Sequence, residues 1–163
     1  MAKRRLIQGT DITRIVSGGQ TGADRAALDY AIEHGIPHGG WCPKGRLAED
    51  GELDSKYLLV EMPSANYRQR TRQNVVDSDG TLIINQGELR GGTRATHEFA
   101  EALEKPYLVI QVEDDALENR DVVLSWLQER GIAVLNVAGP RGSKCPEIYR
   151  HTFQLLKSLL TDP

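Results

Sequence analysis

The chain has 163 residues, and its 23 acidic and 20 basic side chains leave a formal net charge of −3. A chain so close to neutrality has no overall electrostatic attraction for nucleic acid or for an anionic membrane surface. With 39% apolar and 26% charged residues, and two cysteines in unrelated segments, we expect a cytoplasmic globular protein without a disulfide framework. No apolar run has the length of a signal peptide or a membrane span.

Strand-like and helix-like segments alternate along the chain. Short apolar runs predict strands at residues 14–17, 37–41, 80–85, 107–112 and 132–137. Amphipathic or polar stretches predict helices at residues 22–34, 66–77, 93–103, 118–130 and 147–160. Residues 42–57 are polar and show no period, so we predict a long surface loop there.

This alternation predicts an α/β fold with a doubly wound, mostly parallel sheet. Parallel neighbours need crossover helices, and right-handed crossovers place helices on both faces of a Rossmann-like sheet. We predict a single domain at residues 14–163 that binds a nucleotide or cofactor, preceded by an N-terminal tail at residues 1–13.

Three of the predicted strand-to-helix connections are rich in glycine. They are the first loop, residues 17–22 (SGGQTG), the second loop, residues 86–93 (QGELRGGT), and the third loop, residues 138–146 (AGPRGSKCP). In a parallel sheet such connections meet at the carboxyl ends of the strands, where ligands bind. Glycine lets backbone N–H groups approach a ligand, and the N-terminus of the following helix favours an anion.

We therefore predict that the three loops form one site for a phosphate-bearing ligand. The predicted binding residues are Gly18, Gly19, Gln20, Thr21, Gly22, Gly91, Gly92, Thr93, Arg94 and Arg141. The two arginines suit bidentate contact with phosphate. The simpler alternative is that the loops are tight turns with helix caps. The spacing matches neither the dinucleotide fingerprint nor the P-loop, so it does not identify the ligand.

Individual side chains outside the loops have two interpretations each. Arg70 points either towards the pocket or into solvent. Glu98, in the helix after the second loop, is either an acid or base acting on a ribosyl bond or an ordinary exposed carboxylate. Asp24 is predicted to cap the first helix.

A metal site is not expected from the spacing of histidine and cysteine. His34, His38 and Cys42 recur every fourth residue, but Gly35 and Pro37 break any helix between them. We therefore expect no metal bound directly by protein side chains.

Several long stretches closely resemble the family named "putative molybdenum carrier", within the superfamily of LOG-type and DprA-type (SLOG) nucleotide-binding domains. They are IVSGGQTGADRAALDYAIEHGIPHGGWCPKGRLAEDG, YRQRTRQNVVDSDGTLI, GELRGGT and NVAGPR. The resemblance implies a Rossmann-like fold, a pocket for a phosphorylated pterin or nucleotide such as molybdenum cofactor, and a homo-oligomer, dimeric or tetrameric.

The second loop is also similar to the PGGxGTxxE signature of LOG-type phosphoribohydrolases. Gly91, Gly92 and Glu98 keep that spacing, but Arg94 and Ala95 replace its second glycine and its threonine. Arg70 lies about where those enzymes have an arginine. The loss of the Gly-Thr pair argues against hydrolase chemistry.

Three functions follow as hypotheses. The first is a non-catalytic binding or carrier protein for a phosphorylated heterocycle, with molybdenum cofactor as the ligand that the resemblance implies. The second is a hydrolase that cleaves the N-glycosidic bond of nucleoside 5′-monophosphates, with Glu98 and Arg70 as its catalytic residues. The third is a nucleotide sensor. We favour the carrier.

Overall fold

The computed structural model describes residues 9–159. Its strands are β1 Arg14–Val16, β2 His38–Gly39, β3 Trp41–Cys42, β4 Leu47–Ala48, β5 Gly51–Glu52, β6 Val60–Glu61, β7 Gly80–Asn85, β8 Tyr107–Gln111 and β9 Val134–Ala138. Its helices are α1 Ala23–Glu33, α2 Tyr67–Val76, α3 Gly91–Ala102, α4 Ala116–Arg130 and α5 Ile148–Ser158.

The central sheet has five strands in the order β2-β1-β9-β7-β8, and every neighbouring pair is parallel. Helix α5 contacts both α1 and α4, while α2 contacts α3. All six residues of β7 are buried, as expected for an interior strand covered on both faces. The predicted single-domain, doubly wound α/β fold is confirmed.

The predicted strand at residues 37–41 is interrupted. Gly40, with φ of 124°, separates β2 from β3, and β3 pairs with β6 in a separate parallel ladder. A Cβ at Gly40 would lie 2.2 Å from the backbone oxygen of Ser17, so only glycine permits this close approach.

The prediction of an unstructured surface loop at residues 42–57 is wrong in part. Strands β4 and β5 form an antiparallel hairpin, and Cys42, Leu53 and Tyr57 are buried in a small apolar cluster with Leu28 and Leu59. The apolar residues are too widely spaced to give a periodic pattern, so the sequence hides their shared burial.

The predicted tail cannot be compared over its whole length, because residues 1–8 lie outside the described residues. Within the described part, Ile12 is buried in the main core, and the N–H of Thr13 donates to the oxygen of Ala133. The domain boundary after residue 13 stays a prediction. Among the described residues, no helix combines the length and the apolar character needed to cross a membrane.

Candidate functional site

A cavity of about 870 Å³ opens at the carboxyl ends of β1, β9 and β7. All three glycine loops contribute to its wall, together with one face of α2. The lining residues used below are Gly18, Gln20, Asp24, Tyr67, Arg70, Asn74, Asn85, Gln86, Arg90, Gly91, Gly92, Thr93, Asn136, Arg141, Lys144 and Cys145. The connection from β1 runs to β2 at one edge of the sheet and that from β7 runs to β8 at the other edge, with β9 between them. Ligands of doubly wound sheets bind where the connections diverge in this way.

A buried ion pair lies beneath the first loop. The Nη1 atom of Arg70 donates to Oδ2 of Asp24 at 3.2 Å, and the two residues are only 8% and 6% exposed. Asp24 also accepts a hydrogen bond from the N–H of Gln20. Burial raises the pKa of the Asp24 carboxyl, and the charge of Arg70 partly offsets this rise. The prediction of Asp24 as a helix cap is wrong: Gly22 is the N-cap residue of α1, and no side chain caps that end.

Gly18 makes room for the guanidinium of Arg70. A Cβ at residue 18 would lie 1.4 Å from Nη1 of Arg70. Among the described residues, the buried Nε of Arg70 has no hydrogen-bond partner, and its Nη2 donates to no acceptor. A buried cation therefore retains unused donor capacity at the cavity wall, which suits it to bind an anion.

Two carboxamides from neighbouring strands also line the cavity, Asn85 at the end of β7 and Asn136 in the middle of β9. The Nδ2 atom of Asn85 donates to the oxygen of Gly87 at 2.9 Å, and that of Asn136 donates to Oγ1 of Thr81 at 3.2 Å. Both side chains are buried, and their Oδ1 atoms accept no hydrogen bond from the described residues. These oxygens can accept hydrogen bonds from ring N–H groups of a ligand. Sequence analysis missed them; the signal was a single asparagine within each apolar strand segment.

The second loop leads directly into α3. Gly91, Gly92 and Thr93 line the cavity at the start of this helix, where unpaired N–H groups favour an anion. Arg94 and Glu98 do not line it. They form an exposed ion pair with each other, Nε to Oε1 at 3.0 Å, and their side chains are 69% and 48% exposed.

The third loop brings Arg141, Lys144 and Cys145 to the cavity. The thiol of Cys145 donates to Oε1 of Gln86 at 2.8 Å, which joins the third loop to the second. Burial raises the pKa of this thiol. Lys144 and Arg141, with Arg90 of the second loop, add cationic side chains to a wall that already holds Arg70.

The predicted site residues fall into two groups. Those that line the cavity are Gly18, Gln20, Arg70, Gly91, Gly92, Thr93 and Arg141. Those that do not line it are Gly19, Thr21, Gly22, Arg94 and Glu98.

Besides Arg94 and Glu98, which pair with each other, the three residues of the second group that belong to the first loop pack against other parts of the chain. A Cβ at Gly19 would lie 2.8 Å from methyl groups of Leu53 and Leu59, and a Cβ at Gly22 would lie 2.3 Å from the oxygen of Pro140. The hydroxyl of Thr21 contacts Glu49 and Gly142. The first loop therefore packs against the chain itself as well as facing the cavity.

Among residues 9–159, no three or more His, Cys, Asp or Glu side chains are grouped as metal ligands would be.

The indole of Trp41 donates to Oδ2 of Asp77 at 2.7 Å, and its backbone N–H donates to Asn74.

Comparison with known proteins gives two matches. A model of the circularly permutated YpsA SLOG family matches residues 15–160. The crystal structure of a protein named "Putative molybdenum carrier protein", from Syntrophus aciditrophicus SB, superposes with a TM-score of 0.92 and 53% sequence identity, over 93% of this chain and 97% of that chain. No curated protein has significant sequence similarity to the chain. The family resemblance inferred from the sequence is confirmed.

Proposed function

The chain belongs to the circularly permutated YpsA SLOG family, and from its cavity we propose that it is a non-catalytic carrier of a phosphorylated heterocycle. The cavity volume of about 870 Å³ lies within the usual range for small-molecule sites. The similar structure from Syntrophus is named a molybdenum carrier. Together with the family resemblance, this name makes molybdenum cofactor our first candidate for the cargo.

The observation that carries this proposal is the buried guanidinium of Arg70. Removing a cation from water is costly unless it is paired, and Asp24 supplies only one hydrogen bond to it. A ligand phosphate would use the Nη2 group, which donates to none of the described residues. The N–H groups at the start of α3 supply further anion-binding capacity from the opposite loop.

The heterocycle would lie between Tyr67 and the two carboxamides. The ring of Tyr67 is half exposed and lines the cavity, so a flat ring can stack on it. The free oxygens of Asn85 and Asn136 would accept hydrogen bonds from ring N–H groups, such as those of a pterin or a purine.

Molybdenum would enter as part of this cargo. The described residues provide cations and N–H donors suited to the cofactor's phosphate, but no converging set of metal-ligating side chains. The pterin of the cofactor would chelate the metal, and the protein would hold the pterin and the phosphate.

The alternative, a phosphoribohydrolase, requires Glu98 near the ligand. Glu98 instead pairs with Arg94 on the exposed face of α3 and does not line the cavity. This arrangement favours a carrier or a nucleotide sensor over an enzyme. A cytoplasmic location, a homo-oligomeric state and the lack of a nucleic-acid partner stay predictions.

The binding test compares Arg70→Lys with Arg94→Lys. We expect calorimetry to detect binding of molybdenum cofactor or of adenosine monophosphate by the parent. Lysine at position 70 keeps the charge beside Asp24 but loses the planar donor set, so affinity should fall about 10-fold or more. Arg94→Lys changes an exposed arginine outside the cavity and should leave affinity unchanged.

Three results would contradict the proposal. They are the absence of binding for both probes, an equal loss in both variants, and release of free adenine that Glu98→Gln abolishes. The last result would establish the hydrolase.

A further inference from the structure

The tip of the β4–β5 hairpin contacts both the first and the third loop. Its two turn residues are Glu49 and Asp50, and neither lines the cavity. The Oε1 atom of Glu49 accepts from the N–H of Ser143 at 3.0 Å and from the hydroxyl of Thr21. Its Oε2 accepts from the hydroxyl of Ser143 at 2.6 Å.

The same carboxylate also faces Arg141. The Nε of Arg141 is 3.8 Å from Oε2 of Glu49. Arg141 also lines the cavity, so this contact connects Glu49 to the cavity wall. The hydrogen bonds from Ser143 and Thr21, helped by the charge of Arg141, lower the pKa of Glu49. The carboxylate is therefore ionised at neutral pH.

The first loop is held by further contacts with the hairpin tip. The N–H of Glu49 donates to Oε1 of Gln20 at 2.8 Å, and the same oxygen accepts from the N–H of Thr21 at 3.0 Å. Asp50 accepts two hydrogen bonds from Arg25, at 2.9 and 3.0 Å, and Arg25 in turn donates to the oxygen of Gly19.

Thr21 completes the connection between the two loops. Its Oγ1 accepts from the N–H of Gly142 at 3.0 Å and donates to Glu49. A hydroxyl has a single donor, so that of Thr21 is already used. This occupancy explains why Thr21 lies outside the cavity wall, although its residue type suggests phosphate binding.

We propose that Glu49 is a positioning residue that joins the first and third loops and fixes them in the ligand-binding arrangement without touching the ligand. This inference rests on the proposed function for its effect on affinity, but not for its effect on the loops. A carboxylate accepts from all of these donors at once, whereas a carboxamide must direct its NH2 group at some of them.

The test is Glu49→Gln, with Glu52→Gln on the same hairpin as its matched control. Glu52 is exposed, and its side chain forms no hydrogen bond or ion pair with the described residues. In the ligand-free protein we expect the amides of Gly142 and Ser143 to exchange about 10-fold faster in Glu49→Gln. The amide of Ser143 loses its charged acceptor, and the amide of Gly142 donates to the Thr21 hydroxyl, which the carboxylate holds in place. Exchange in β7 should not change, which separates loop release from global unfolding.

The same variant should bind the probe that the parent binds about 3- to 10-fold more weakly, since the loops must then be ordered on binding. Thr21→Val removes the partner hydroxyl. The double variant, Thr21→Val with Glu49→Gln, should lose little more affinity than Glu49→Gln alone, because both substitutions break the same connection between the first and third loops.

Unchanged exchange at Gly142 and Ser143 would overturn the inference. So would tighter binding by Glu49→Gln, which would mean that the carboxylate occupies the place of the ligand's anion. If the parent binds neither probe, the proposed function fails, while the exchange rates still decide whether Glu49 holds the loops.

Discussion

The first and third loops differ from the second in what surrounds their glycines. A Cβ at Gly22 would lie 2.3 Å from the oxygen of Pro140, and one at Gly139 would lie 2.3 Å from the oxygen of Ile84. At Gly18 the obstacle is Arg70. Glycine is required at Gly22 and Gly139 because backbone of the same chain occupies the space, whereas at Gly18 a flexible side chain occupies it.

The second loop has open space at its glycines. A Cβ at Gly87, Gly91 or Gly92 would meet no heavy atom within 4 Å. Gly87 and Gly91 have positive φ values of 76° and 52°, a conformation that favours glycine. Gly92 has neither a close neighbour nor a positive φ, so the protein fold gives no reason for glycine there. A glycine-rich motif alone therefore does not distinguish a packed turn from a ligand-binding loop.

The largest effect, a loss of stability, is expected at the buried ion pair of Arg70 and Asp24 beneath the first loop. Arg70→Met would leave Asp24 without its cation, and breaking a buried ion pair in this way typically costs about 3–5 kcal/mol of unfolding free energy. Chemical denaturation at pH 7 measures the loss. Arg94→Met breaks the exposed pair with Glu98 on α3 and should lower the free energy of unfolding by less than about 1 kcal/mol.

The loss in Arg70→Met should depend on pH. Burial raises the pKa of Asp24 in the folded protein, and removing Arg70 removes the charge that lowers it. When the pKa of a carboxyl is higher in the folded than in the unfolded protein, the free energy of unfolding falls as the pH rises from the unfolded pKa through the folded one. The free energy of unfolding of the variant should therefore be closer to that of the parent below about pH 4, near the usual pKa of aspartate, than at pH 7. An equal deficit at both pH values would show that lost packing, not unpaired charge, dominates.

A smaller effect is expected for Gly18→Ala. The new Cβ would displace the guanidinium of Arg70, whose flexible end can move but would weaken its bond to Asp24. Overpacking of this kind costs about 1–3 kcal/mol. Calorimetry should also show weaker ligand binding, because Arg70 no longer has its place at the cavity wall. Parent-like stability together with parent-like affinity would show that Arg70 is not fixed by this contact.

The fold could be predicted because its signals are local. The apolar runs at residues 80–85 and 107–112 became the strands β7 and β8, at or within one residue of the predicted ends. The helices at residues 66–77 and 118–130 were also found at nearly the predicted ends, as α2 and α4. Continuous apolar runs of strand length and helix-length stretches between turn residues are properties of neighbouring residues, so such elements can be predicted.

The contacts around the candidate site could not be predicted, because they join distant parts of the chain. Glu49 and Asp24 have no local feature that separates them from other acidic residues, and each finds its partners only after folding. For Arg70 the helix pattern left pocket and solvent open and the family resemblance favoured the pocket, whereas Asn85 and Asn136 were missed. Sequence alone indicated the three loops but not which side chains face the cavity.

The smallest effect should appear at Gly92, and it has the opposite sign. Gly92 is the second residue of α3, in open space and with an ordinary backbone conformation. Replacing glycine by alanine in a helix stabilises it by about 0.5–1 kcal/mol. We therefore expect Gly92→Ala to unfold at a higher denaturant concentration than the parent, yet to bind the phosphorylated ligand more weakly, since a methyl group would narrow the cavity that Gly92 lines.

Gly91→Ala provides the contrast within the same loop. Its φ of 52° would strain an alanine by about 1–2 kcal/mol, so this variant should be destabilised although it also meets no neighbour. If Gly92→Ala gains stability and keeps full affinity, then the open glycines of the second loop do not mark a ligand-contact surface. Gain of stability with loss of affinity is the combination that only a ligand seated against Gly92 explains, because no part of the described chain approaches that position.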